Sequence, residues 1–151
     1  MTAVVFYHLT RMGLDAMVVS LLNRALGQGW RVMLRAPDLD LLERLDAKLW
    51  LGAEDSFLPH GLQGGPHDAD QPVLLGSGAV TNRAQALMLL AGAEVSQGEV
   101  GALDRVWMVF DGGDAAAVAD ARSRWTLYQS WGLSVQYWSD APGSAKAPPE
   151  A

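Results

Sequence analysis

Two patterns of apolar positions alternate along the chain, one typical of helices and one typical of strands. Apolar residues at helical spacing between Leu14 and Ala25 predict a helix over 14–27. A second helix is predicted from Pro37-Asp38 to about residue 50, and a last one over about 114–131. Short runs rich in β-branched, aromatic and Leu residues predict six strands, although the fourth run also fits a helical turn: 2–9, 30–36, 72–76, 85–91, 105–110 and 133–138.

This alternation predicts an α/β fold: a three-layer, Rossmann-like domain with a mostly parallel central sheet flanked by helices. A length of 151 residues suits one domain, which we expect to cover residues 1–140. Between the second predicted helix and the strand run at 72–76, residues 52–70 are rich in Gly, Pro, His and Asp, which predicts a loop. The last segment, 141–151, is mostly Pro, Ala and Gly, so we expect a disordered C-terminal tail.

Charge and composition narrow the possible functions. A formal net charge of −6 lacks the basic character that nucleic-acid binding usually requires, so we expect contact with nucleic acid only through another protein. The absence of Cys excludes disulfides and thiolate metal sites, and the three His are too scattered for metal-ligand spacing. No apolar run approaches the roughly 20 residues of a membrane helix. We therefore expect a soluble, cytoplasmic protein with no membrane contact.

Two segments bear on nucleotide or metal binding. Dinucleotide-binding domains carry G-x-G-x-x-G between the first strand and the first helix, but residues 9–13 hold one glycine, so phosphate-cradling amides are predicted to be missing there. In "FDGGD" at 110–114, Asp111 and Asp114 could form a carboxylate pair for Mg²⁺ or for acid/base chemistry. We favour a tight turn with Asp114 as the N-cap of the last helix. We thus expect a protein with no catalytic residues, no metal and no cofactor. The alternative is that the chain is a nucleotide-binding domain or a small α/β enzyme.

The last helix carries a possible binding site for a carboxylate. Arg122 lies at the edge of the apolar face, next to Val118 and Trp125. An Arg beside an exposed aromatic ring can pair with a carboxylate while the ring contacts an apolar group. The alternative is that Trp125 belongs to the core and Arg122 is a solvated charge. The predicted apolar face comprises Ala117, Val118, Ala121, Trp125 and Tyr128.

Several short segments, taken together in this order, resemble a known family. They are "FYHL" at 6–9, "GWRVMLRA" at 29–36, "LDAKLW" at 45–50, "SFLPHGL" at 56–62, "VFDG" at 109–112, "ARSRW" at 121–125 and "YW" at 137–138. The sequence is similar to the chi subunit of bacterial DNA polymerase III, a clamp-loader accessory subunit. The resemblance implies a non-catalytic adaptor that has this fold without binding nucleotide.

The resemblance also implies two partner-binding surfaces. Chi proteins bind the psi subunit of the clamp loader, and here the residues on that side would be Trp50, Phe57, Leu58, Pro59 and His60. A DNA repair helicase is an alternative partner for the same surface. Phe57 and Leu58 could instead fold back onto the domain.

The second surface implied by the resemblance receives the acidic C-terminal tail of single-stranded-DNA-binding protein, which ends in Phe with a free carboxylate. The residues expected to hold this tail are Arg122, Trp125, Val118 and Arg124. Arg122 would pair with the carboxylate, while Trp125 and Val118 would contact the phenyl ring.

Overall fold

The central element of the fold is a parallel β-sheet. The computed structural model describes residues 2–51 and 59–140, and within them the sheet has seven strands, in the order β3-β4-β2-β5-β6-β1-β7. Every neighbouring pair is parallel, which confirms the predicted α/β class. The strands are β1 (Ala3–Leu9), β2 (Val32–Arg35), β3 (Gly61–Leu62), β4 (Val73–Gly76), β5 (Ala86–Leu89), β6 (Arg105–Asp111) and β7 (Ser134–Ser139).

Helices cover both faces of this sheet, as a parallel sheet requires. They are α1 (Leu14–Gly27), α2 (Leu39–Trp50), α3 (Gln97–Val100) and α4 (Ala115–Ser130). The first two pack on one face, and the last two pack on the other. The three predicted helices and the three-layer arrangement are therefore confirmed.

The alternation of side chains along β1 shows how the two cores are separated. Tyr7 packs in the core under α1 and α2, whereas Val4 and Phe6 pack in the core under α4. Successive side chains of a strand point to opposite faces of the sheet, so a strand covered on both faces is apolar throughout. This explains why the predicted strands read as continuous apolar runs.

Three details of the fold go beyond or differ from the sequence-based prediction. The run at 85–91 is a strand, because Ala86–Leu89 pairs with both β2 and β6. Gly61–Leu62 forms a short strand within the predicted loop at 52–70. Helix α3 was not predicted, although Ser96 and Glu99 form the capping box that begins it.

Two predictions concern segments outside the described residues. The predicted tail at 141–151 is one of them, and the stretch that contains Phe57 and Leu58 is the other. Across residues 2–51 and 59–140, no helix is long and apolar enough to cross a membrane.

Candidate functional site

An apolar cavity lies between α4 and the carboxyl ends of three strands, β6, β1 and β7. Its volume is about 520 Å³, within the range that suits a small ligand or a few peptide residues. Its lining contains one cationic side chain, Arg122, together with His8 and a majority of apolar and aromatic residues. The lining residues are Phe6, His8, Phe110, Val118, Ala121, Arg122, Trp125, Thr126 and Tyr137.

The periodicities of strand and helix bring these residues together. Phe6 and His8 are two positions apart on β1, so both point toward α4. On α4, Val118, Arg122 and Trp125 follow each other at spacings of four and three residues, which places them on one side of the helix. The cavity is the space left between this side of α4 and the strand ends.

Trp125 is both part of the apolar core and part of the cavity wall. Its ring lies 5.2 Å from the ring of Phe6, centre to centre, at an interplanar angle of 56°. The side chain is only partly buried, and its remaining surface lines the cavity. Trp125 therefore contributes to the core and also leaves part of its ring at the cavity, and its role in binding stays a prediction.

Arg122 and Arg124 differ in their exposure, in their ion pairing and in their position relative to the cavity. Arg122 is exposed at the cavity, and no salt bridge in the described parts of the chain involves it. Arg124 is buried, donates a 2.7 Å hydrogen bond to the Gly92 carbonyl and pairs with Asp120 at 3.0 Å. Two residues correspond to about 200° around a helix, so Arg124 points away from the cavity and does not line it.

His8 and Tyr137 form a polar contact in the cavity wall that the sequence did not reveal. The Tyr137 hydroxyl lies 2.6 Å from His8 Nδ1. The imidazole also stacks on the ring of Phe110, with centres 5.0 Å apart at an angle of 27°. Strand alternation could have placed His8 beside Phe6, but its contact with Tyr137 depends on β7 pairing with β1.

The loop after β1 bears on one sequence-based prediction. The backbone amides of Thr10, Arg11 and Met12 all donate to the carboxylate of Asp140, and the Thr10 hydroxyl does so as well. Phosphate-cradling amides were predicted to be missing here; three amides do converge in this loop, but on a carboxylate of the chain itself. Burial acts to raise the pKa of Asp140, but the hydrogen bonds from Met12, Thr10 and Arg11 outweigh it and lower the pKa.

The FDGGD segment is a turn and a helix cap. Asp114 accepts hydrogen bonds from the amides of Ala116 and Ala117 at 3.0 and 3.3 Å, which confirms it as the N-cap of α4. Asp111 accepts from the amide of Gly113 at 2.8 Å. No group of three or more potential metal ligands occurs within residues 2–51 and 59–140.

A partly buried ion pair joins two other elements at the carboxyl edge of the sheet. Arg35, at the end of β2, donates to both carboxylate oxygens of Glu99 at 3.1 and 2.7 Å. It also donates to the carbonyls of Gly78 and Glu94. The hydrogen bond from Arg35 lowers the pKa of Glu99 to about 2. These contacts give Arg35 a structural role.

The described residues of the predicted psi-binding surface, Trp50, Pro59 and His60, lie at and beside the end of α2. Trp50 is 55% exposed, and its ring centre is 4.6 Å from that of His60. His60 is buried, and its Nε2 lies 3.1 Å from Asp46 Oδ1. Pro59 is partly exposed. Asp46 and Trp50 are one helical turn apart, and His60 contacts both. The LDAKLW segment at 45–50 is therefore in contact with His60 of the SFLPHGL segment.

These two surfaces lie far apart on the domain. The cavity belongs to the sheet face covered by α4, near β6, β1 and β7, whereas α2 packs on the opposite face against β3 and β4.

Parallel α/β domains usually bind ligands at the carboxyl edge, where the strand order reverses. Here the loop amides at that edge already hold a carboxylate of the chain itself.

The structure thus defines a small Rossmann-like α/β protein with an apolar cavity beside an exposed arginine. Comparison with protein families gives a match to the DNA polymerase III chi subunit, HolC, over residues 1–136. The chain belongs to the family of DNA polymerase III chi subunits, which confirms the resemblance and makes this protein a replication accessory subunit. A search of curated proteins found no match.

Proposed function

We propose that the protein is a non-catalytic adaptor that captures the acidic C-terminal tail of single-stranded-DNA-binding protein in the cavity beside α4. Through its other surface it binds the psi subunit and so connects the tail to the clamp loader. The observation that carries the proposal is the position of Arg122, a cation at an apolar cavity with no salt bridge in the described parts of the chain.

The chemistry of the cavity suits a peptide that ends in Phe with a free carboxylate. The Arg122 guanidinium can pair with the carboxylate through two parallel hydrogen bonds. The phenyl ring would contact Trp125, Val118 and Phe6, which supply the aromatic and aliphatic part of the lining. The carboxylate and the phenyl ring of the terminal Phe then each have a matching group within one cavity.

Electrostatics predict modest affinity. The whole chain has a formal charge of −6, so long-range attraction for an acidic tail is weak. Binding would depend on the local charge of Arg122, because Arg124 is engaged with Asp120 and does not line the cavity. We expect the affinity to fall as salt concentration rises.

Calorimetric titration tests this site directly. The free-acid peptide should bind the wild-type protein, whereas its C-terminal amide and a peptide lacking the last Phe should bind much more weakly. Arg122→Ala should cost about 2–5 kcal/mol of binding free energy if the pair is desolvated. Arg122→Lys should recover part of it, because the planar guanidinium is lost but the charge remains.

Arg44→Ala is the matched control for charge. It removes one exposed cation from α2, on the opposite face of the sheet, where Arg44 pairs with Asp15. This variant should bind the peptide like the wild type. Equal affinity of the free acid, the amide and the Arg122→Ala variant would sink the assignment of this site.

The surface at the end of α2 is the proposed contact for psi. Trp50 and Leu51 are 55% and 84% exposed, which is unusual for large apolar residues in adjacent positions. His60 is buried beneath Trp50, so we assign it to positioning that ring and Trp50 to the contact with the partner. Pro59, Phe57 and Leu58 complete the proposed surface, the last two outside the described residues.

The alternative of a nucleotide-binding domain receives no support from the loop after β1. Its three converging amides are engaged by Asp140, so a phosphate would have to displace an internal carboxylate.

Because the cavity and the α2 surface lie on opposite faces of the sheet, an adaptor could bind both partners simultaneously.

A further inference from the structure

Strand β7 is the edge strand that completes the cavity. Within residues 2–51 and 59–140 it pairs with one strand, β1. It carries Tyr137 into the cavity wall, and most of its residues are partly or fully exposed. The position of Tyr137 therefore depends on how firmly β7 is held against its single neighbour.

Directly after β7, Asp140 makes a clamp onto the loop that follows β1. One carboxylate oxygen accepts from the Thr10 amide at 2.6 Å and from the Thr10 hydroxyl at 2.9 Å. The other accepts from the amides of Arg11 at 2.9 Å and Met12 at 2.5 Å. Both oxygens are used, and four donors from three consecutive residues surround one anion.

The clamp occupies the place where this class of fold holds a phosphate. In Rossmann-like domains the loop between the first strand and the first helix binds phosphate through backbone amides. Consecutive amides that converge on one point form an anion-binding concavity. Here the anion is supplied by the chain itself, from the residue that follows its last strand.

The clamp also adjoins the contact between His8 and Tyr137. His8 is two residues before Thr10 on one chain segment, and Tyr137 is three residues before Asp140 on the other. In the sheet register His8 lies opposite Ser139, so the clamp is the next interaction beyond the last paired residues. Movement of Asp140 away from the loop would loosen this end of β7.

We propose that the Asp140 carboxylate takes the place of a bound phosphate at the loop after β1. We further propose that Asp140 is a positioning residue, which holds Tyr137 in the wall of the cavity. The part concerning the cavity rests on the proposed peptide-binding function. The part concerning the anion site does not, because it follows from the loop amides alone.

The anion site is tested by chemical rescue of the full-length Asp140→Ala variant. Its melting temperature should fall by several degrees and rise again with formate or inorganic phosphate, in a saturable manner and more than for the wild type. Sodium chloride at equal ionic strength is the control for screening. Asp140→Asn, which keeps one acceptor oxygen, should show a smaller fall and provides a second variant if the first does not fold.

The positioning role is tested with the Phe-ended peptide. Asp140→Ala should weaken binding roughly fivefold or more, a size typical of coupled sites, and formate should restore part of the affinity. Asp104→Ala, which removes an exposed carboxylate of equal charge at the opposite end of the sheet, should leave binding unchanged.

Each outcome has a distinct meaning. Equal stabilisation of wild type and variant by formate and phosphate would overturn the anion site. Rescue of stability with unchanged peptide affinity would overturn the positioning role. Failure of the wild type to bind the peptide at all would refute the proposed function, while the melting measurements would still decide the anion site.

Discussion

Gly112 is the position at which one added methyl group should disturb the cavity most directly. A Cβ atom there would lie 2.2 Å from Cδ2 and Nε2 of His8 and 2.9 Å from the carbonyl oxygen of Leu9. The Gly112 amide donates to that same carbonyl at 2.6 Å. The backbone therefore cannot move away without losing a hydrogen bond, and the imidazole has to move.

The cost of moving the imidazole follows from its contacts. His8 would lose its hydrogen bond with Tyr137, worth about 0.5–1.5 kcal/mol, and its stacking on Phe110, worth a similar amount. Overpacking of this kind typically costs about 1–3 kcal/mol in total. We expect Gly112→Ala to lower the free energy of unfolding by about 1–3 kcal/mol, or the melting temperature by roughly 3–10 °C.

Urea denaturation followed by fluorescence measures this change, and a peptide titration shows whether the cavity is altered. Gly101→Ala is the matched control, because its backbone is right-handed helical and no atom lies within 4 Å of an added Cβ. The control should keep or slightly raise stability. If both variants unfold at the same urea concentration as the wild type, the close packing of Gly112 on His8 does not limit the residue that this position can hold.

Three further predictions concern other parts of the molecule. Trp50→Ala should cost about 2–4 kcal/mol of psi binding in calorimetry, with little change in melting temperature, because the ring is exposed; a large loss of stability with intact binding would assign Trp50 to the core. Glu99→Gln should be less stable than the wild type by about 1–2 kcal/mol at pH 7, allowing for screening of the partly exposed carboxylate. Since the folded-state pKa of Glu99 is lowered from 4.5 to about 2, this difference should be complete above pH 4.5 and disappear as the pH falls toward 2; a difference that persists unchanged at pH 2 would contradict it. The purified protein should not bind bare single-stranded DNA tightly, because its net charge is −6, and a salt-sensitive micromolar complex in a fluorescence anisotropy titration would count against this.

The sequence determined the secondary structure because each long element carries its own periodic signal. Helices α1, α2 and α4 begin and end within a residue or two of their predicted bounds. Their apolar faces repeat at helical spacing, and Asp38 and Asp114 cap two of them through local hydrogen bonds. Two short elements, β3 and α3, were missed. Strand β3 has two residues and exists through its pairing with β4.

The sequence also predicted that Val118, Arg122 and Trp125 share one side of α4, which is the side that lines the cavity, because that face is a property of one helix. Helical geometry alone places Arg122 and Arg124 on different sides of α4. What the sequence could not show is the contact that engages Arg124 with a distant segment: it donates to the carbonyl of Gly92, which lies 32 residues earlier. Such contacts depend on how the loops pack onto α4.

Only the tertiary structure decided which strands are neighbours, and the cavity and the clamp both depend on that order. Strands covered on both faces are all apolar runs, so their sequences do not specify the order of the sheet. Pairing of β7 with β1 brings Tyr137 to His8 and Asp140 to the amides of Thr10–Met12, across about 130 residues of chain. The single glycine in that loop predicted that phosphate-cradling amides are missing, but converging amides are a feature of backbone geometry, which residues other than glycine can also adopt.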